Sequence, residues 1–339
     1  MNLKIDKNTK FALVGHGYHL NCLFNELIKN KLPKPIILTH QKKFHSRDIK
    51  NSENDLDWYR NIFELKKKIM INIKIPKEKN QKNMEDFFIK RNLKSIVELA
   101  REKTKPMQIN NKMGGDKAYL PTLKDLYRLY QFVLLNKRTT VFEFGSGWST
   151  LIFSLALKEL RDKFSKEVKM LRRNNPFELF VLENEKKYLS ISRNRVQKFN
   201  KSLNIKNPIK SNYHFSDVEM TLFNGKICTQ YKKLPLCNPD FIYLDGPNQF
   251  NVKKDINGIS TRHKDMMPMV CDILKFEYFY TPGTIIVCDG RGSNAKFLKD
   301  NFKRKWEYVD DQKNEQHIFW LDDPILGKHN KAQLKFYRD

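Results

Sequence analysis

The order of segments between residues 120 and 321 constrains this chain more than anything else in it. Strand-like runs appear at TVFEFG, ELFVLEN, NYHFS, DFIYLDG, GTIIVCDG, WEYV and QHIFWL. Helical patterns sit between the first five, notably STLIFSLALKELRDKF, EKKYLSISRNRVQKF and KDMMPMVCDILKF. Such alternation predicts a parallel sheet with helices on both faces. The last two strands are separated by DDQKNE, too short for a crossover helix, so they should form an antiparallel hairpin at the sheet edge. The expected fold class is therefore α/β and Rossmann-like, five parallel strands plus a C-terminal antiparallel hairpin. A helix leads into it at PTLKDLYRLYQFVLL, with Leu123, Leu126, Tyr127, Tyr130 and Val133 at helical spacing and Thr122 as N-cap.

Upstream, KFALVGHG, a helical pattern through Leu20, Leu23, Leu27 and Ile28, and the run PIILT make a smaller α/β unit. IMINIKI reads as a short strand, and Met84 to Arg91 as a helix before NLKSIVELA. The polar, glycine-bearing run EKTKPMQINNKMGGDK reads as a linker. The expected organisation is an accessory α/β domain over 1–105, a linker over 106–119 and the main domain over 120–339. A length of 339 residues supports two units, because a single core stops growing near this size.

Composition narrows the class. Hydrophobic content of 40% with 24 Phe and 13 Tyr excludes a disordered chain. No run approaches the roughly 18 apolar residues of a membrane span, and MNLKIDKNTKF lacks the apolar core of a secretory signal. A cytoplasmic protein without a membrane span is expected. Five scattered cysteines without a C-x-x-C pair read as reduced thiols, neither a disulfide frame nor a zinc knuckle. The net charge of +26 raises nucleic acid as a partner. The excess is lysine, spread along the chain with many Asn and Ile as an AT-rich coding sequence would produce, and arginine is not clustered. Nucleic acid is therefore not the favoured partner.

In an open parallel sheet, ligands bind beyond the carboxyl ends of the strands. Glu143, Gly145, Ser146 and Gly147 end the first strand in VFEFGSGWST. The glycines allow a sharp turn and close approach of a ligand, and the next helix presents free N–H groups. An acid two residues before the first glycine would repel a pyrophosphate but suit a cationic or amino-acid-bearing ligand. Glu183 ends the second strand, where a carboxylate can take ribose hydroxyls; Glu185 begins the helix and serves its dipole. Ser216 and Asp217 follow the third strand, either meeting an adenine edge or capping the next turn. Asp245 and Asp289 end the fourth and fifth strands, about 5 Å apart in backbone position if those strands are neighbours. Such a pair can hold Mg²⁺ or raise one pKa to make a general base, or each can stabilise its turn. His263, in NGISTRHKDMM, should overhang the site as a further proton acceptor.

With these residues in place, 120–339 resembles the class I S-adenosylmethionine-dependent methyltransferases. The resemblance rests on E-x-G-x-G at Glu143, Gly145 and Gly147, strand-end acids at Glu183, Asp217 and Asp245, and a hairpin matching the family's sixth and seventh strands. It implies S-adenosylmethionine as cofactor. Gly145 and Gly147 would face its methionine part, Glu183 its ribose and Asp217 its adenine, with Asp245 where cofactor meets acceptor. Where the family's amino-group methylating members carry an N-P-P-Y-type motif, Asp245-Gly246-Pro247-Asn248 stands here. Metal-dependent members place Asp-Asn or Asp-Asp where this chain has Asp289-Gly290-Arg291, so Mg²⁺ at Asp245 and Asp289 is in doubt and no other metal is expected. Arg291 suits an anionic acceptor. The expected activity is O-methylation of a small-molecule or glycan-precursor acceptor, with Asp245, Asp289 and His263 as catalytic candidates. The alternatives are an RNA methyltransferase or a non-methylating nucleoside-binding protein of the same fold. FALVGHGYHLNCLFNEL followed by PIILTH resembles, more faintly, the opening of the nucleotide-fold half of formyltransferases, without their Asn and N-x-H catalytic run.

Overall fold

The computed structural model describes residues 12–14, 29, 36–38, 71–102, 120–263 and 265–338. The chain divides into two compact units, Met1–Ile69 and Met70–Asp339. In the first, strands β1 (Ala12–Val14) and β2 (Ile36–Leu38) pair in parallel, Ala12 opposite Ile36. The helix expected through Leu20 to Ile28 and the linker expected over 106–119 lie outside the described residues, as do the remaining residues that suggested a formyltransferase.

The division falls at Ile69, well before the boundary expected near residue 105. The reason is packing. Helices α1 (Gln81–Ile89) and α2 (Lys94–Arg101) place Met84, Phe88, Leu93, Ile96 and Val97 in the same core as helix α3 (Leu123–Leu135). Phe87 packs edge-on against Tyr127 and Tyr130, with ring centroids 5.0 and 5.1 Å apart. Of the run IMINIKI, the described residues 71–75 do not form the expected strand. Its backbone is held by side chains instead: Lys74 N donates to Asn136 Oδ1 at 2.7 Å, and Arg128 Nη1 donates to the Pro76 carbonyl at 3.0 Å. Thr122 precedes α3 as expected but makes no capping hydrogen bond.

The main sheet has seven strands. They are β3 (Thr140–Phe144), β4 (Glu178–Glu183), β5 (Lys210–Phe215), β8 (Phe241–Leu244), β10 (Ile285–Asp289), β11 (Trp306–Asp311) and β12 (Gln316–Leu321). Their spatial order is β11-β12-β10-β8-β3-β4-β5; β10, β8, β3, β4 and β5 run parallel, and β12 is antiparallel to both its neighbours. This is the Rossmann-like α/β sheet expected, with its closing hairpin. The last strand takes the inner slot and β11 the edge.

The four inner parallel strands, β3, β4, β8 and β10, are apolar along nearly their whole length because both faces are covered, whereas β5 (KSNYHF) at the edge is polar and half-buried. Val141, Val181, Phe241, Tyr243, Ile285 and Val287 face α3, α4 (Trp148–Lys169) and α5 (Lys186–Ser202). The alternate residues Phe142, Phe144, Leu182, Ile242, Leu244 and Ile286 face the other way, onto a second cluster with α7 (Gly292–Asn301). Each fully buried Phe, Leu or Ile contributes about 1.5–3 kcal/mol.

Two connections differ from expectation. Between β5 and β8 comes the hairpin β6 (Val218–Phe223) and β7 (Lys226–Tyr231), which with β9 (Val252–Lys253), from the segment after β8, makes a three-stranded sheet covering that second face. Asn224 and Gly225 turn the hairpin with φ of 50° and 74°, the positive pair a tight two-residue turn requires. KDMMPMVCDILKF keeps only one helical turn, α6 (Asp272–Lys275). Pro268 disfavours helix before it, and Thr229 in β7 pairs with the segment instead, its N–H on the Met269 carbonyl and its carbonyl accepting from Cys271 N.

The amino ends of the strands are tied by Asp240, whose carboxylate accepts from Thr139 N, Thr139 Oγ1, Thr140 N and Tyr337 Oη at 2.7–3.0 Å. Tyr337 belongs to α8 (Lys328–Arg338), which the sequence reading did not anticipate. No helix among the described residues is long and apolar enough to cross a membrane.

Candidate functional site

From β3 the chain winds outward through β4 to β5, then returns to β8 on the other side of β3 and continues to β10. Strand order reverses between β3 and β8, so their carboxyl ends part and leave a crevice. A cavity of about 930 Å³ opens there, lined among others by Gly145, Ser146, Gly147, Glu183, Asp245 and Asp289. Its size is in the range of small-molecule sites.

The floor is a contact between two turns. Gly145 has φ of +99°, and a Cβ on it would stand 2.9 Å from Gly246 N. Only glycine fits both the backbone and the space. Gly145 N donates to the Leu182 carbonyl and Asp245 N to the Phe144 carbonyl, at 2.8 and 2.9 Å, so both turns leave their strands in register.

Glu143 does not reach the cavity. It is fully buried beneath the turn, where Ser149 Oγ and Thr150 Oγ1 donate to its carboxylate. Burial pushes its pKa up to about 8 against those two hydrogen bonds, with Asp245 and Glu183 pushing the same way. Its place is in holding the first turn of α4 to β3, which replaces the ligand contact expected of it.

Glu183 does face the cavity. Its Oε1 accepts from Asn184 N and Glu185 N at 2.8 and 2.9 Å, and its Oε2 from Ser146 Oγ at 2.9 Å. A carboxylate offers about four acceptor sites, so roughly one remains open, on Oε2. Burial raises its pKa to about 7. Glu185, expected to serve the helix dipole, instead accepts from Asn248 Nδ2 at 3.0 Å.

Asn184 was missed in the sequence and braces this wall. Its Oδ1 accepts from Asn248 N at 3.0 Å, and its Nδ2 donates to the Asn248 and Asn251 carbonyls at 3.2 and 3.0 Å. The side chain thus fastens the loop after β8 to the end of β4.

Asp245 and Asp289 sit at adjacent ends of β8 and β10, one register step past Leu244 and Cys288. Asp245 lies at the bottom of the crevice with 53% of its side-chain surface toward the opening. The atoms packed around it raise its pKa, Arg291 lowers it and Asp289 raises it, while half of the side chain stays open to solvent. Tyr243 Oη donates to Asp289 Oδ2 at 2.8 Å, and burial raises the Asp289 pKa too. Asp125, in the first turn of α3, also lines the cavity, its pKa raised to about 6 by burial and then by Asp289. Arg291 lines the cavity and braces the turn, and its Nη1 is buried without a hydrogen-bond partner among the described residues. Its Nη2 donates to the Asp245 and Pro247 carbonyls, and its Nε stands 3.7 Å from Asp245 Oδ1.

That guanidinium occupies the ground a divalent cation would need beside Asp245. Among the described residues no group of three or more His, Cys, Asp or Glu side chains is placed to hold a metal. The pair does not fit Mg²⁺.

Three expected residues stand elsewhere. Ser216 and Asp217 do not line the cavity: Ser216 Oγ accepts from Lys233 N, and the Asp217 carbonyl accepts from Lys232 N, both closing the base of the β6–β7 hairpin. His263 points to solvent with 64% of its side chain exposed and pairs loosely with Asp265 at 3.8 Å. Its carbonyl, not its ring, serves the site by accepting from Gln249 Nε2 at 3.1 Å.

No family model matches the chain, and no curated protein does. Among solved structures it is similar to the O-methyltransferase TomG of Streptomyces achromogenes in complex with SAM, at 10% identity and a TM-score of 0.33, covering 72% of this chain and 99% of that one. It is also similar to CalS11, a TDP-rhamnose 3′-O-methyltransferase of calicheamicin biosynthesis, at 11% identity and 0.36, covering 73% and 97%. A third is an O-methyltransferase from Bacillus cereus in complex with SAH, at 11% identity and 0.28, covering 73% and 92%. Likenesses this distant leave the chemistry to be read from the residues.

Proposed function

We propose that the chain is an S-adenosylmethionine-dependent methyltransferase that methylates a hydroxyl of a small-molecule or glycan-precursor acceptor. The observation that carries this reading is Glu183, a buried carboxylate at the carboxyl end of β4, open on Oε2 to a cavity beside the glycine turn of β3. When bound, S-adenosylmethionine supplies a methyl group on a positively charged sulfur. Glu183 would accept one ribose hydroxyl at Oε2, and Ser146, bonded to the same oxygen, would turn to meet the second. Gly145 and Gly147 let the amino-acid part approach the backbone.

The chain's own part in the chemistry is positioning and proton removal. Asp245 is placed to take the proton of an acceptor hydroxyl at its carboxylate, because it lines the cavity with 53% of its side chain exposed. Arg291 holds the Asp245–Pro247 turn by its carbonyls, and Asn184 holds the loop that follows. RNA is not favoured as the acceptor. The cavity wall carries Asp125, Glu183, Asp245 and Asp289 against Arg195 and Arg291, a lining without the positive excess that would hold a polyphosphate.

Calorimetric titration with S-adenosylhomocysteine tests the reading. The wild type should bind, and Glu183→Ala should bind about 10- to 100-fold more weakly, the loss of one or two hydrogen bonds to a charged group. Absence of binding to the wild type would sink it.

A further inference from the structure

Residues 186–216 carry eight Lys and Arg and not one Asp or Glu. On other faces acids stand beside the lysines, as Glu219 does to Lys254, Asp300 to Lys296 and Glu78 to Lys313. Here Lys186, Arg193, Lys198, Lys201 and Lys206 are exposed, and none of them makes an ion pair among the described residues.

The acid-free stretch folds into one continuous surface, helix α5 with the edge strand β5 beside it. Lys186 lies over the Phe215 ring at 5.0 Å and Arg193 over the Tyr213 ring at 5.1 Å, so cations of the helix reach across to the strand. The 17 residues of α5 span about 25 Å. Past its far end a hollow of about 820 Å³ continues the surface, lined by Leu203, Lys206, Arg161 and the Lys158–Asp162 pair.

Folding does not account for this pattern. Lys186 and Lys187 occupy the first turn of α5, the positive end of its dipole, where acids are favoured and none stands. Lys198 and Lys201, three residues apart on the helix, put like charges on neighbouring positions. Both arrangements destabilise the isolated chain, and an anionic surface laid against the helix would reverse both.

The side chains among the cations indicate which anion. Leu203 and Phe215, each 38% exposed, stand at the two ends of the helix. Apolar groups between lysines suit the headgroup boundary of a bilayer, where they dip toward the acyl chains while the ammonium groups stay with the phosphates. A nucleic acid would sooner be met by arginine, and of these five cations only Arg193 is one.

We propose that the face formed by α5 and β5 docks on an anionic lipid surface. Such docking holds whether or not the cavity takes S-adenosylmethionine. Tyr188 and Ile191 of the same helix line that cavity, so docking sets the cleft beside the membrane.

Vesicle flotation tests this, with phosphatidylcholine alone and with phosphatidylserine added, on the wild type and on two triple variants of equal net charge. Lys198→Gln, Lys201→Gln and Lys206→Gln remove three cations of the face. Lys254→Gln, Lys296→Gln and Lys313→Gln remove three that acids already neutralise elsewhere. The wild type should bind only the vesicles containing phosphatidylserine, and less as salt rises. The face variant should bind them about 100-fold more weakly, and the control variant within a few-fold of the wild type. Neither variant should unfold at a lower urea concentration than the wild type, since the substituted side chains are exposed. Equal loss in the two variants would overturn the proposal, because net charge and not this face would then draw the chain to the surface. A wild type indifferent to phosphatidylserine would overturn it as well. So would a wild type that prefers duplex RNA to the vesicles and loses that binding in the face variant, which would assign the face to nucleic acid.

Discussion

Replacing Glu143 by glutamine should stabilise the protein at alkaline pH, by an amount that the buried carboxyl of β3 sets. In the native state burial outweighs the Ser149 and Thr150 hydrogen bonds and moves the pKa from 4.5 to about 8. In the unfolded chain the group titrates near its ordinary value. Between those two values the native state keeps a proton that the unfolded state has released, so stability falls as pH rises through the window and levels off above it. The span is 8 − 4.5 = 3.5 units, which at 1.36 kcal/mol per unit is about 5 kcal/mol. Few domains can spare so much. Glutamine fills the same space, accepts one hydroxyl through its carbonyl and donates to the other through its amide, and never ionises. Urea unfolding of wild type and Glu143→Gln across this range measures the effect. The advantage of the variant should grow by several kcal/mol from about pH 5 to about pH 9. Parallel pH profiles would refute the dominance of burial at this carboxyl, and an advantage growing toward acid would contradict its sign.

Two further outcomes follow from the backbone and from the far end of the sheet. Gly145→Ala should destabilise by about 1–3 kcal/mol and abolish S-adenosylhomocysteine binding, because its Cβ would stand 2.9 Å from Gly246 N at a φ of +99°; wild-type affinity by calorimetry would contradict the tight contact. Asp240→Asn presents an amide to donors that now share a carboxylate, and should cost about 3–5 kcal/mol. Affinity for S-adenosylhomocysteine should not change, since Asp240 lies at the amino ends of the strands. A variant that unfolds at the wild-type urea concentration but loses the ligand would contradict that placement.

Much of the main sheet was legible because parallel strands covered on both faces are written as short unbroken apolar runs. LFVL, FIYL and IIVC are such runs, VFEF is one interrupted only by Glu143, and each became a strand. Glu183 was legible for a related reason: an acid that ends a buried run must stand at the strand's carboxyl end. Residues 216–240 were not read correctly, because a crossover helix was expected there. The Asn224-Gly225 pair between two strand-like runs signals a hairpin by itself. In KDMMPMVCDILKF, Pro268 was the overlooked signal. Ser216, Asp217 and His263 were placed by adjacency to strand ends, whereas the direction of a loop side chain is decided by which backbone groups need partners. Lys233 N takes Ser216, and the His263 ring is left in solvent. Asn184 and Asp125 had no local signal, since each acquires its role from a partner on another element. The domain boundary failed similarly: α1 and α2 are amphipathic, but only the nearly all-round burial of α3 shows what they cover.

The position of β12 between β10 and β11 bears on how the chain reaches this arrangement in time. During synthesis Ile285–Asp289 emerges with one side of its ladder bare, and its rightful neighbour begins 316 − 289 = 27 residues later. At about 5–20 residues per second that interval lasts roughly 1–5 s. Trp306–Asp311 arrives first, and β10, α7 and β11 in succession could close an ordinary right-handed parallel unit that fills the vacant place. The composition of the two candidates guards against this trap. WEYVDD carries Glu307, Asp310 and Asp311, charges that an inner strand cannot bury, whereas QHIFWL buries Ile318, Phe319 and Leu321. The early strand is thus fit only for the rim, and the kinetic competitor is one that the core itself rejects.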